Sequence, residues 1–415
     1  MNTTGTVVIG AGHAGLAVSR LLTAAGRDHV VLERGRVAQR WRAERWDSLH
    51  LLTPNWMTRL PGHPYAGPEP DAFMPACRFV DHLEHYAASF AAPVLTGTTV
   101  LAVTATAAGD YRVATDRGTW STRSVVIATG PHGVPRTPAG IDADVLTAAG
   151  YRKPAQLPSG GVLIIGASSS GVQIADELNR AGRDVVLAVG RHRRLPRSYR
   201  GRDIFWWLDR AGHLARTIDT FADAARARHE PSLQLIGRNQ PIDDGVDLAA
   251  LQARGVRLAG RVDGMLGGRA RFRDDLADST AEADRVMHRV LDGFDARVTG
   301  LDGTPVARPE PVRPNPLIRE LDLARAGIAT VLVATGYRPH HPWLRLPITG
   351  PGGVIRQHRG VTSAPGVYVV GQRFQHRRDS GFIAGARHDA RAVVHHLLRG
   401  ASPRALARVD EEAAA

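Results

Sequence analysis

The sequence predicts an α/β chain in which one parallel β-α-β unit is inserted into another, and three observations predict it. A glycine-rich turn, Gly10-Ala-Gly12-His-Ala-Gly15, directly follows the apolar run Thr6-Val-Val-Ile9. A second, Gly166-Ala-Ser168-Ser-Ser170-Gly171, directly follows Val162-Leu-Ile-Ile165. A buried strand ends in Ala128-Thr129-Gly130, and the same exit recurs at Ala334-Thr335-Gly336. Strand, glycine turn and helix together describe a Rossmann-like dinucleotide-binding unit. There the first glycine makes the tight turn, the second lets backbone approach a pyrophosphate, and the third lets helix pack on strand. The pyrophosphate rests on the free amides of the helix N-terminus. Two such turns make two Rossmann-like dinucleotide-binding domains.

The residues downstream of each turn separate the two units. Past Gly15 the chain runs through a helix to the strand His29-Val-Val-Leu32 and reaches Glu33, 18 residues on. A carboxylate there accepts a hydrogen bond from a ribose 2′-hydroxyl. The same offset from Gly171 falls on Val189, and Gly190-Arg191-His-Arg-Arg194 comes next. A carboxylate repels a 2′-phosphate, whereas arginine clamps one through charge-assisted bonds. The first site therefore suits FAD and the second NADPH, with Arg191, His192 and Arg193 beside the phosphate and Arg194 in the same group. The alternative for these arginines is a solvated loop in an arginine-rich chain.

Composition narrows the classes. The 415 residues suffice for two or three packed units, and 43% apolar content with 44 glycines allows a large core with many loops. The formal charge of +13 is almost all arginine, since Lys153 is the only lysine. That charge is dispersed, with no basic block interleaved with aromatics, so nucleic acid is not the expected partner. Cys77 is the single cysteine, which rules out both an intramolecular disulfide and a CxxC redox pair. The first strand begins within six residues, leaving no room for a signal peptide, and no run of about 18 apolar residues spans a membrane. A cytoplasmic protein in a reducing compartment is expected.

Between the turns, Arg36–Pro64 is a loop-rich stretch with Trp41, Trp46 and Trp56, expected to cover part of a cofactor. Phe79, Val80, Leu83 and Tyr86 are spaced for an amphipathic helix. His82 and His85 lie on it without a third ligand, so no metal site is expected. Strands are expected near 94–103, 111–114 and 124–130. After the second unit comes the Arg/Trp-rich segment Leu195–Trp207, then helix-like sequence to about Arg228. A last strand, Gly366-Val-Tyr-Val-Val-Gly371-Gln372, leads into a C-terminal helix opening near Ser380 and running to Leu398. The N-terminus of that helix suits the pyrimidine edge of a flavin, the alternative being a helix that simply caps the sheet. The expected division is 1–155 for the first part of the FAD domain, 156–325 for the NADPH domain and 326–415 for the return. An insertion at about 199–240 shapes the substrate pocket. Phe205, Trp206 and Trp207 serve there either as pocket wall or as the interface patch of a homodimer.

This order of motifs resembles the single-component, NADPH-dependent flavin-containing monooxygenases (group B) of the pyridine-nucleotide flavoprotein superfamily, over nearly the whole chain but least across 200–325. Gln39-Arg-Trp41 and Trp46–Asn55 are similar to the family's flavin-loop region, and Leu195-Pro-Arg197 to the segment after its phosphate-binding arginine. The resemblance implies an FAD site at Gly10, Gly12, His13, Ala14, Gly15, Glu33, Arg34, Gln39, Arg40, Trp41, Thr53, Val100, Ala128, Thr129, Gly130, Gly371, Gln372 and Ile383. It implies an NADPH site at Gly166, Ser168, Ser169, Ser170, Gly171, Gln173, Arg191, His192, Arg193, Ala334, Thr335 and Gly336. Asn55 matches an asparagine that sits over the flavin in relatives. The resemblance implies that hydride passes from NADPH to FAD, that dioxygen adds at C4a, and that the resulting (hydro)peroxyflavin oxygenates a small organic substrate.

One departure stands out. The family's linker motif ends in an aromatic, here Tyr151, but its histidine position holds Thr147, and its glycine and phenylalanine positions hold Ala143 and Ile141. A flavin-dependent dehydrogenase or reductase on the same scaffold is therefore the competing reading, with a non-catalytic cofactor sensor behind it.

Overall fold

A computed structural model describes residues 1–231, 233–236, 246–297, 307–313, 316–399 and 402–414. The chain opens with β1 (Asn2–Ile9), α1 (His13–Ala24) and β2 (His29–Leu32). α2 (Ala76–Ser89) then precedes β3 (Val94–Leu95), the hairpin β4 (Val100–Ala105) and β5 (Tyr111–Thr115), and β6 (Gly118–Ile127). Next come β7 (Leu146–Thr147), β8 (Gly161–Ile165), α3 (Ser169–Arg180) and β9 (Val185–Ala188). They are succeeded by β10 (Arg193–Pro196), α4 (Ile204–Arg210), β11 (Leu233–Ile236), β12 (Arg257–Ala259), α5 (Leu276–Asp295) and β13 (Ile328–Val333). The chain returns through β14 (Gln357–His358), β15 (Val361–Thr362) and β16 (Val367–Val369) to α6 (Ala386–Leu397) and α7 (Pro403–Ala414).

Two sheets organise these elements. In the first the order is β14-β15-β16-β6-β1-β2-β3, with the β4–β5 hairpin joined to β6. Its centre is parallel: Val7 and Val8 of β1 lie opposite Val30 and Val31 on one side and Val125 and Val126 on the other. Strands buried on both faces need unbroken apolar, β-branched runs, and these supply them. α1, α2 and α6 cover one face, where Leu16, Leu21, Phe79, Leu83, Ala390 and Val393 share a core; Val7, Ile9, Leu32 and Val113 pack on the other.

The second sheet, β7-β13-β8-β9-β12, is parallel throughout. All its strands fall between β6 and β14 in sequence, so the second sheet is nested within the first. β13 pairs with both β8 and β7. A division at 155/156 and 325/326 leaves β7 and β13 with the other unit; parallel pairing, directly to the buried strand β8 or through β13, draws both into the second sheet.

Smaller departures have local causes. The C-terminal helix starts at Ala386 and not near Ser380, because Ser380 is spent in a turn where its hydroxyl accepts the amides of His376 and Arg377. The helix-like stretch after Trp207 resolves into the end of α4 and a short helix at Ala224–Arg228, with α4 ending at Arg210 shortly before Gly212, which adopts φ +74°. Part of the expected insertion, 232 and 237–240, lies outside the described residues.

Candidate functional site

The first turn is shaped by packing at two glycines and left open at the third. Gly10 donates to the carbonyl of Leu32 (2.8 Å), tying the turn to the end of β2. A Cβ on Gly15 would stand 1.9 Å from the carbonyl oxygen of Gly10, so helix and strand approach only without one. Gly12 is different. Its φ is −82° and a Cβ there would meet nothing within 4 Å, so neither backbone nor neighbours require glycine. What an added methyl would fill is the approach to the N-terminus of α1. Glu33, 8% exposed, accepts the amides of Ala11 (2.9 Å) and Gly35 (3.0 Å), which fixes its carboxylate at the mouth of the turn.

Unmatched polar atoms occur on several of the residues expected to hold FAD. Among the described residues His13 Nε2, Thr129 Oγ1 and Asn55 Oδ1 are buried without a hydrogen-bond partner. Burial pushes the His13 imidazole down to about 4, so it is neutral at pH 7. Asn55 is 5% exposed and held by its own Nδ2, which donates to Glu69 O (2.9 Å). Buried polar atoms are normally satisfied, so each of these suits a ligand or water. Arg40 donates to Gly133 O (3.2 Å) and Trp41 packs edge-on against Phe79 (4.8 Å). Burial, with Arg45 and Arg40 adding to it, pushes His132 down to about 3.

The remaining expected FAD residues have varied surroundings. Gln39 Oε1 accepts from Arg36 N, Arg34 is exposed and pairs with Glu44, and Thr53 is half-buried two residues before Asn55. A Cβ on Gly371 would meet that of Ala14 at 2.8 Å, so the return segment closes directly on α1. Gln372 reaches Gly130 O at 3.5 Å, and Ile383 joins the α1 core. Val100 packs beneath the opposite sheet face, with Ile9 and Leu32.

The second turn repeats the frame. Gly166 donates to Ala188 O (3.0 Å), and a Cβ on Gly171 would stand 1.7 Å from Gly166 O. Ala334 backs this turn as Ala128 backs the first: a Cβ on Gly166 or Gly10 would meet the respective carbonyl at 2.8 Å. Val189 donates to Ala259 O as Glu33 donates to Leu95 O, so the two occupy matching places. No acid stands there. Beyond it Arg191 is exposed, contacting His229 O at 3.3 Å, and Arg193 has a buried Nη1 without a partner among the described residues. His192 is buried, and that burial pushes its pKa down against the opposing hydrogen bond to Gly190 O, keeping it neutral. Arg194 departs from the expectation that it serves a phosphate. It is fully buried, bound to Asp284 (3.0 Å), Asp247 (3.7 Å) and Glu310 O (2.8 Å), and belongs to the packing of α5 against β10.

Between the loop 46–52 and α3 lies a cavity of about 300 Å³. Ser169 and Gln173, two of the expected NADPH residues, line it together with Trp46, His50, Leu52, Gln234 and Val246. On its wall Glu177 accepts the hydroxyls of Tyr151 (2.7 Å) and Ser48 (2.7 Å). Tyr151 is 0% exposed, and burial with Glu177 beside it raises its pKa. One carboxylate thus joins the inter-sheet linker, the loop and α3. Sequence reasoning missed Glu177, though it lies one turn past Gln173 on the same helix face. Phe205 and Trp207 are buried among Met57, Leu195, Met287 and Phe294, so they form core and not an interface; Trp206 alone of the three is exposed.

Comparison with known proteins bears on this geometry. Residues 7–203 match the family described as pyridine nucleotide-disulphide oxidoreductase. A CzcO-like oxidoreductase of Geobacillus kaustophilus is 28% identical over 403 residues, covering 94% of this chain and 97% of that one. The chain is an oxidoreductase. The indole-3-pyruvate monooxygenase YUCCA6 of Arabidopsis thaliana is 31% identical over 199 residues, covering 45% of this chain and 48% of its own. Among solved structures, a flavin-containing monooxygenase from Stenotrophomonas maltophilia superposes with a TM-score of 0.67 at 21% identity, covering 97% of this chain and 100% of that one. At that identity the likeness speaks for the fold. In this oxidoreductase no helix among the described residues is long and apolar enough to cross a membrane.

Proposed function

We propose that this oxidoreductase is an FAD-dependent, NADPH-consuming monooxygenase that places one oxygen atom from dioxygen in a small organic substrate. The observation that carries it is the pair of turns with one frame and opposite selectivity: Glu33 at the first, Val189 followed by Arg191 and Arg193 at the second. FAD and NADPH are its cofactors. FAD lies on the first sheet, and NADPH on the second sheet nested within it, which includes β7 and β13. The open Gly12 and the unmatched atoms of His13, Thr129 and Asn55 suit FAD; the exposed Arg191 and unmatched Arg193 suit a 2′-phosphate. The similarity of 45% of the chain to a named monooxygenase supports the reaction class.

When bound, FAD would supply the hydride-accepting and oxygen-reactive chemistry that no side chain provides. The chain's residues bind, orient and exclude water. Glu33 holds the ribose, the α1 amides hold the pyrophosphate, and neutral His13 keeps a hydrogen-bonding nitrogen at the turn. Asn55 Oδ1 offers an acceptor in a water-excluded position. Arg191 and Arg193 neutralise the 2′-phosphate, and the Glu177 clamp fixes the loop 46–52 against α3. A cytoplasmic setting completes the reading.

The second reading, a dehydrogenase or reductase on the same scaffold, is favoured by Thr147 at the linker position where relatives carry histidine; here it lies in β7 beside Val333. Labelled dioxygen decides between them. Label in the product supports the monooxygenase. Unlabelled product, with turnover sustained by an artificial acceptor under argon, supports the dehydrogenase.

A further inference from the structure

Gln234 is a buried group to which the cofactor reading assigns no task. It stands on β11, 1% exposed, and its Nε2 donates to the carbonyl of Ala167 (2.7 Å), the middle of the second turn. Since a carbonyl only accepts, that bond fixes which end of the amide is which. Oε1 is left as a buried acceptor with no donor among the described residues. Leaving such an atom unmatched costs a full desolvation penalty, so a native site supplies the donor. Ser169 secures the same strand, its hydroxyl donating to Leu233 O (2.6 Å). β11 is therefore a fixed part of the second turn.

Gln234 lines the 300 Å³ cavity, and the cavity's other walls define the donor. Trp46, Leu52, Val172, Leu235 and Val246 give it apolar sides. Its carboxylates are already engaged: Asp176 with Arg254 (2.6 Å) and Arg180 (3.2 Å), Glu177 with two hydroxyls. Such a space suits a neutral, flat body with N–H or O–H groups. Ser169 places the cavity at the first turn of α3, where the pyrophosphate belongs, while Arg191 and Arg193 hold the 2′-phosphate of the adenosine half.

We propose that Gln234 Oε1 accepts a hydrogen bond from the nicotinamide-riboside half of NADPH, making Gln234 a cofactor-positioning residue supplied by the inserted segment. The inference rests on the assignment of the second turn to NADPH. At the first turn the matching carbonyl, Ala11 O, is bonded by the backbone amide of Ala38 (3.1 Å) and not by a side-chain amide.

The test is calorimetric binding to the FAD-loaded, oxidised protein without turnover. NADP⁺ is compared with adenosine 2′,5′-bisphosphate, which keeps the 2′-phosphate and lacks the nicotinamide riboside. Gln234→Leu should weaken NADP⁺ by about 3–10-fold, the worth of one neutral hydrogen bond, and leave the bisphosphate unchanged. Gln234→Asn, which withdraws the oxygen while keeping an amide, should show the same split and guards against a misfolded leucine variant. The 3-acetylpyridine analogue of NADP⁺ identifies the donor. If wild type binds it as weakly as the leucine variant binds NADP⁺, the carboxamide N–H is the donor; if it binds like NADP⁺, a ribose hydroxyl is. Equal losses for NADP⁺ and the bisphosphate, or no loss for either, would overturn the inference while leaving the NADPH site standing. Failure of wild type to bind either ligand would overturn both.

Discussion

The two glycine turns share one frame and differ at the positions that frame does not use. Gly15 and Gly171 each bring a helix onto the preceding turn at a distance no Cβ tolerates. Each first glycine is tied to the end of the neighbouring strand, and each turn is backed by an alanine, Ala128 or Ala334. The differences are Gly12 against Ser168, Glu33 against Val189, and the amide of Ala38 against the side chain of Gln234. None of the three alters the path of the chain. Packing sets the frame, and selectivity is written at places where packing is indifferent.

That separation is easiest to break at the third glycines. Gly15→Ala and Gly171→Ala each force a methyl to within 2 Å of a carbonyl oxygen, so either should unfold its unit, with loss of soluble protein or of the melting transition. Gly12→Ala should do the reverse. Nothing in the protein meets the new methyl, so the apo melting temperature should stay within about a degree, a surface-like substitution effect. FAD, which needs that space, should be lost at least as completely as from the Gly15 variant. An apo protein destabilised by Gly12→Ala would show that packing, and no ligand, demands this glycine.

At the acidic position the contrast is one of charge. Glu33→Gln keeps the shape and an acceptor but removes the charge; Glu33→Ala removes both. One charge-assisted hydrogen bond contributes about 1.5–3 kcal/mol, so Glu33→Ala should weaken FAD roughly 10–100-fold, with Glu33→Gln between it and wild type. Fluorescence titration of apo protein reads this directly. Unchanged affinity in both variants would remove the basis for placing the ribose there.

The second site should answer with the opposite sign. Arg191→Ala should erase most of a preference for NADPH over NADH, on the order of 10–100-fold, and leave NADH use nearly unchanged. Arg194→Ala makes the control. It removes the partner of two buried aspartates, so it should lower stability without selective effect on the 2′-phosphate. If Arg194 alone shifts the preference, the buried arginine and not the exposed one reads the phosphate.

The two turns, the acid at 33 and its absence at 189 are legible in the sequence, because these are local patterns of strand, glycine and helix. Parallel pairing is not local. Leu146 of β7 lies beside Leu332 of β13, with nearly the whole second unit between them in the chain, and only the sheet brings the two together. Arg191 and Arg194 look alike in a run of arginines; burial and two aspartates from distant segments separate them. Gln234 lies in the stretch where motifs are weakest, and its place against Ala167 comes from β11 pairing with β10. What sequence misses here is the third dimension of otherwise ordinary residues.

The supports of the two turns also differ, and the smallest expected effect tests that. β11 braces the second turn, whereas α6 braces the first, with Gly371 against Ala14 and Ala386 in the α1 core. On α6, Asp389 is 1% exposed, and burial pushes its carboxyl up to about 7, with Asp379 adding to this and Ser380 and Arg377 opposing it. Its folded-state pKa thus lies above the unfolded value of 3.8. The stability it contributes is fully present below about pH 4, where both states are protonated, and is lost as pH rises through about 7. Measured against Asp389→Asn, which cannot ionise, wild type should therefore lose melting temperature between pH 5 and pH 8, whatever slope the other titrating groups set. The gap between the two proteins should be widest at pH 8, on the order of 1–3 kcal/mol, and narrow towards pH 5. Because the brace belongs to the first turn, FAD release measured by fluorescence should rise with pH in wild type more than in the variant, and NADP⁺ affinity should follow neither. Identical pH slopes in the two proteins would show that the carboxyl at Asp389 does not ionise within this range, and that the first turn owes nothing to its protonation.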